Sequence, residues 1–149
     1  MKLKVFLWLL LMNRHNTKEL LQKKNFIIQG GIHCVMCNSM VTENMLHLFF
    51  SCPFAQQCWQ KTGIHWNLGM NHMSMIISAY KQFPHRFFFE VLAIGCWNIW
   101  RRRNDLIFNK IALNFDKWKT YFQQDFALHM HRAKEVDIPH WKSWLSNFS

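Results

Sequence analysis

Glycine, proline and acidic side chains are all scarce in this 149-residue chain. Five Gly and three Pro are too few for an all-β protein, which needs a turn every several residues. Eight Asp+Glu face eighteen Lys+Arg, a formal charge of +10. That excess suits a polyanionic partner such as RNA or DNA, with an ordinary basic surface as the alternative. No apolar run approaches the roughly 20 residues of a membrane span. The run at 5–12 stops at Asn13-Arg14-His15-Asn16 without a small-x-small cleavage site, so it reads as a buried helix rather than a signal peptide, and no membrane association is expected. Cysteine comes as an odd five, four of them within residues 34–58. That does not suit a secreted disulfide framework and points to a reducing compartment, nuclear or cytoplasmic.

What the chain does have is apolar bulk. Half of it is hydrophobic and 16% aromatic, enough for a packed core and too much for disorder. Helices are expected at 3–12, at 17–24 after a capping-box-like Asn16–Glu19, and from Thr42 with Met45, Leu46, Phe49 and Phe50 as the apolar face. Pro53 suits the first position of a further helix ending at Gly63. A long helix is expected over 86–108, with Phe88, Val91, Leu92, Gly95, Ile99 and Leu106 as its stripe, and another over 116–134 with Trp118, Phe122 and Phe126 on one side. Phe26-Ile27-Ile28 reads as a short strand, 64–74 as a loop, and the tail 136–149, with Trp141 and Trp144, as weakly docked. The fold class is therefore mainly α, a small helical module that carries the cysteine cluster followed by a helical extension. Its boundaries are 1–66 for the module, 67–83 for a linker and 84–149 for the extension.

One constellation carries chemistry. Cys34-Val35-Met36-Cys37, His47 and Cys52 offer three thiols and an imidazole at spacings that can close a tetrahedral Zn²⁺ site. Cys58, six residues past Cys52, is an alternative donor. His33 and His65 are spare imidazoles, and Cys96, inside the long helix, reads as core. His129-Met130-His131 is not a shared site, because residues two apart on a helix diverge. Arg101-Arg102-Arg103 is the densest positive run, either a candidate phosphate-binding patch or a solvated helix face. Trp8, Trp59, Trp97 and Trp100 could stack on bases, but their helical spacing favours core packing.

Taken in order, Phe6-Leu7-Trp8, Leu20–Lys24, Cys34-x2-Cys37, Glu43-x3-His47-Leu48-Phe49-Phe50-x-Cys52-Pro53-Phe54 and Trp59 resemble the zinc-binding domain found downstream of the reverse transcriptase in plant non-LTR (LINE-type) retrotransposons. Trp97-Asn98-Ile99-Trp100-Arg101-x2-Asn104-x2-Ile107-Phe108 is similar to the segment that follows it there. The resemblance implies that Cys34, Cys37, His47 and Cys52 bind a structural Zn²⁺ and that the setting involves nucleic acid. The polymerase chemistry of such elements has no counterpart here. Asp105, Asp116, Asp125 and Asp137 are scattered, with no Asp-Asp pair for two metals and too few carboxylates for RNase H. A detached piece of such an element is expected, not an enzyme, acting as a nucleic-acid-binding or accessory module. The alternatives are a scaffold that meets a protein partner through exposed apolar surface, or an inert relic.

Overall fold

The computed structural model describes residues 2–148. Its order is α1 (Lys2–Leu11), α2 (Lys18–Lys23), a π-helical turn (His47–Ser51), α3 (Pro53–Thr62), α4 (His72–Gln82), α5 (Phe88–Asn109), α6 (Phe115–Met130) and α7 (Ile138–Ser146). No strand occurs among the described residues, so the expected mainly helical class is what the structure shows.

Local signals set most of the ends. Thr17, Asn71 and Asn114 accept the N–H three residues on and start α2, α4 and α6, as short polar side chains do at an N-cap. Pro53 opens α3 and Gly63, at φ 82°, closes it in the left-handed conformation that glycine adopts without strain. α5 ends at Lys110, also left-handed at φ 56°.

The 22-residue α5 is the axis of the molecule, packing against α1, α3, α6 and the π-turn. Val91, Leu92, Ile94, Cys96 and Ile99 are fully buried along it. At Gly95 the Trp59 ring of α3 comes so near that an added Cβ would lie 2.6 Å from it. Trp118 of α6 donates its indole N–H to the Gly95 carbonyl, 3.2 Å away. Three helices therefore converge where α5 has no side chain.

Several expectations need correction. Residues 26–28 form no strand; Ile27 is 96% exposed and lacks a pairing partner, and the β-type pairing that does occur is a single bridge between His33 and Thr42. The stretch 67–83, expected as a linker, contains α4, whose Met75, Ile76 and Ala79 join the same core as the rest of the chain. Asn71 supplied an N-cap signal there, and the polar run before it masked the helix that follows. The tail does not dock weakly: Trp141 and Phe148 are buried, and Trp144 stacks among Phe83, Phe87, Phe122 and Phe126. α1 buries only Phe6 and Leu10 fully, leaving Val5 and Trp8 half exposed. The helix expected from Thr42 is capped instead by Asn44, whose Oδ1 accepts from His47 N at 2.8 Å, and its Leu46 points outward.

Candidate metal centre

A short antiparallel clasp brings the first two thiols into place. Cys34 N–H donates to Val41 O at 2.8 Å and Glu43 N–H to Ile32 O at 2.8 Å, on either side of the His33–Thr42 bridge. The loop between them returns through Met40 at φ 57°. Cys34 and Cys37 sit on this loop, facing the helical turn that carries His47.

That turn is π rather than α for a reason visible at the site. In an ideal α-helix, residues five apart lie roughly 140° apart around the axis and face different ways. Here Cys52 N–H donates to His47 O at 2.7 Å, an i→i+5 bond that widens the turn. His47 and Cys52 are thereby brought to one side. Pro53, which has no N–H to continue the ladder, starts α3 immediately after.

The four donor atoms of Cys34, Cys37, His47 and Cys52 all lie within 4.8 Å of one another. Cys34 Sγ is 4.0 Å from Cys52 Sγ, and Cys37 Sγ is 3.3 Å from His47 Nε2. A Zn²⁺ with Zn–S of about 2.3 Å sets its ligand atoms about 3.7 Å apart, so the donor set fits a tetrahedral ion with little adjustment. Cys34 and Cys52 are buried and Cys37 is half-buried. Ser51 Oγ lies 3.4 Å from His47 Nδ1, which fixes the ring with Nε2 toward the thiols, as the outer partner of a metal-binding histidine does. Met36 N–H points at Cys34 Sγ from 3.4 Å. The hydrogen bond from Cys52, helped by the Met36 and Cys37 N–H groups and by His47, lowers the Cys34 thiol to about 5 against the effect of burial. Cys52, the donor in that pair and buried as well, is pushed far up. A bound Zn²⁺ would take both as thiolates.

The remaining candidates fall outside this set. Cys58 is buried between α3 and α5, its thiol pushed up by desolvation and by neighbouring Cys96. His33 is not among the converging donors, and His65 is exposed. His129 turns back to the Asp125 carbonyl at 3.3 Å while His131 points to solvent, so the two do not converge. The Arg101–Arg103 run is corrected as a phosphate-binding patch. Arg102 and Arg103 are each only 4% exposed. Arg102 pairs with Asp105 at 3.0 Å and lies over the Tyr121 ring, while Arg103 pairs with Glu43. Of the three, Arg101 alone stays partly accessible, over Trp97 and Tyr121. Of the four tryptophans, Trp59 is core, Trp97 and Trp100 are half-buried and Trp8 is half exposed.

Nothing in the sequence pattern marks Asn44, Ser51 or Arg103 as supports of the centre. Glu43 lay in the recognised motif, but its partner is 60 residues away and looked like one more member of a basic run.

Residues 1–59 match the family model described as zinc-binding in reverse transcriptase, a segment that holds all four donors. No curated protein matches the chain, and no solved structure matches it. The matched family and the buried Cys3His cluster together identify a structural Zn²⁺ module. No helix among the described residues is long and apolar enough to cross a membrane.

Proposed function

We propose that the chain is a zinc-stabilised nucleic-acid-binding or accessory module derived from a plant-type non-LTR retrotransposon reverse transcriptase, with no catalytic activity of its own. The convergence of Cys34, Cys37, His47 and Cys52 inside the segment that matches the reverse-transcriptase zinc-binding family carries this reading. Four protein donors complete a tetrahedron, leaving no position for substrate or water, which favours a structural ion over a catalytic one. When bound, Zn²⁺ would neutralise the thiolates and hold the 32–52 segment closed. The +10 charge supports a nucleic-acid partner, because displaced counterions drive such binding. Five thiols without a disulfide suit a reducing nuclear or cytoplasmic setting.

The test is binding of the zinc-loaded chain to single-stranded and duplex RNA and DNA over a salt series. The reading expects affinity that falls steeply with salt; no binding at low salt overturns its nucleic-acid half.

A second reading is a protein-facing scaffold. It is favoured by the outer side of α1 and the turn after it, where Val5, Trp8 and Met12 are each at least half exposed. It predicts self-association of the isolated chain that salt does not weaken.

A further inference from the structure

A cleft of about 530 Å³ opens between α1, the turn that follows it and α5. Two of its walls are Trp97 and Trp100, three residues apart and so on one face of α5. The neighbouring stripe of Val91, Leu92, Cys96 and Ile99 is buried, but these two indoles are only half covered. They are held firmly all the same. Phe6 meets Trp97 edge-on with ring centres 5.4 Å apart. His15 leans over Trp100 at 5.5 Å and packs on Phe6 at 4.0 Å. The buried Arg103 guanidinium lies 4.7 Å over Trp100. His15 Nε2 is fixed by the Phe6 carbonyl at 2.9 Å.

The rim has the opposite character. Lys2 and Arg14 are exposed and line the cleft, and no Asp or Glu does. Arg101 stands 5.9 Å from the Trp97 ring. A rigid aromatic floor with exposed cations at its edge and no carboxylate among its lining residues combines two properties. It offers a flat π-surface to a planar ring and positive charge to the groups flanking that ring. An unpaired nucleotide has this pattern, whereas duplex DNA hides its bases and an acidic peptide makes no use of the indoles.

We infer that this cleft binds single-stranded nucleic acid, an unpaired base stacking against Trp97 and Trp100 while Lys2 and Arg14 hold the adjacent phosphates. The inference rests on the nucleic-acid reading above and gives it a location whose accessible cations are Lys2 and Arg14 rather than the buried Arg102 and Arg103.

The experiment uses the full zinc-loaded chain and a fluorescent single-stranded oligonucleotide of about a dozen nucleotides. Three variants are compared with wild type: Lys2→Glu with Arg14→Glu, Trp97→Leu, and a control of equal charge change, Lys81→Glu with Lys142→Glu, at exposed positions outside the cleft. The cleft pair is expected to weaken binding at least tenfold more than the control pair and to lower the salt slope by about 1.4, at roughly 0.7 per phosphate contact. Trp97→Leu is expected to weaken binding roughly tenfold while zinc content stays stoichiometric, as loss of one stacked base does. Should Trp97→Leu lose zinc or fail to fold, the exposed charge pair decides the matter. Equal losses in the cleft and control pairs overturn the cleft and leave the nucleic-acid reading standing. Absence of wild-type binding at low salt overturns both. Preference for duplex, or displacement of the oligonucleotide by polyglutamate at equal charge concentration, overturns the single-strand assignment.

Discussion

Glu43 and Arg103, 60 residues apart, form a buried two-pronged ion pair, with Arg103 Nη2 2.6 Å from Glu43 Oε1 and Nε 3.0 Å from Oε2. Glu43 is fully buried. Its Oε1 also accepts the Lys18 N–H at 2.9 Å, and its backbone carbonyl takes the Glu19 N–H at 3.1 Å. One carboxylate thus ties together the start of α2, the clasp carrying the metal donors and the middle of α5. The planar guanidinium fork suits this geometry in a way a lysine would not.

Removing one partner leaves the other charged and buried. Arg103→Met is expected to cost about 3–5 kcal/mol in urea unfolding of the zinc-loaded protein. The double variant Glu43→Gln with Arg103→Met is expected to cost clearly less than the sum of its singles, because the stranded charge is gone. Additive losses would mean that the pair is not coupled.

Zinc content separates the four donors from Cys58, the fourth cysteine near them. Cys34→Ser, His47→Ala and Cys52→Ser are each expected to lose stoichiometric zinc, whereas Cys58→Ser keeps it. Chelation of the wild type is expected to open residues 32–52 to hydrogen exchange while α5 and α6 stay protected. Their core of Trp118, Phe122 and Phe126 does not involve the donors. Collapse of the whole helical signal would instead show that the entire fold depends on the ion, as in isolated zinc-finger peptides.

The donors were legible because chemistry demanded particular residue types, and the long helices because α5 and α6 repeat apolar residues at helical spacing. What was not legible depended on distance in sequence. Arg102 and Arg103 read as solvent-facing charge, since nothing near them in sequence shows that Asp105 and Glu43 neutralise them in the interior. The tail looked peripheral because it is short and interrupted by polar residues, although Ile138, Trp141, Leu145 and Phe148 recur at helical spacing and in space Trp141 and Trp144 close a ring cluster with Phe87 and Phe126. The π-turn was hidden for another reason: a helical period cannot reveal one widened turn, which here brings His47 and Cys52 to the same side.

Gly95→Ala should show how tightly α3 meets α5. The new methyl would sit 2.6 Å from the Trp59 ring, and that ring is itself anchored by its N–H to the Phe49 carbonyl at 2.6 Å. A loss of about 1–3 kcal/mol is expected in chemical denaturation, the usual cost of overpacking. The higher helix propensity of alanine would offset less than 1 kcal/mol of it. A neutral or stabilising result would show that Trp59 can shift.

Deleting the Trp141 side chain tests the docking of α7. Trp141 is 5% exposed and stacks on Phe126 at 4.7 Å, so Trp141→Ala is expected to cost about 3–5 kcal/mol. Zinc stoichiometry should not change, since none of the donors touches this cluster. A loss under 1 kcal/mol in thermal or urea melts would return the tail to the weakly docked state that its sequence suggested.

Acid sensitivity follows from His15. Burial lowers its pKa below the ordinary 6.5, only partly opposed by the hydrogen bond to Phe6. The folded state therefore resists a proton that the unfolded chain accepts. The stability this supports is complete above pH 6.5 and declines as pH falls below it, because there the unfolded state binds more protons. His15→Gln keeps an N–H for the Phe6 carbonyl and does not titrate. Between pH 7 and pH 5 the wild type is expected to lose more unfolding free energy than this variant. Acid loss of zinc affects both alike, so the difference between the two curves isolates the histidine. Parallel curves would mean that His15 takes up a proton as readily in the fold as in the unfolded chain, so that burial does not keep the floor of the α1–α5 cleft neutral in acid.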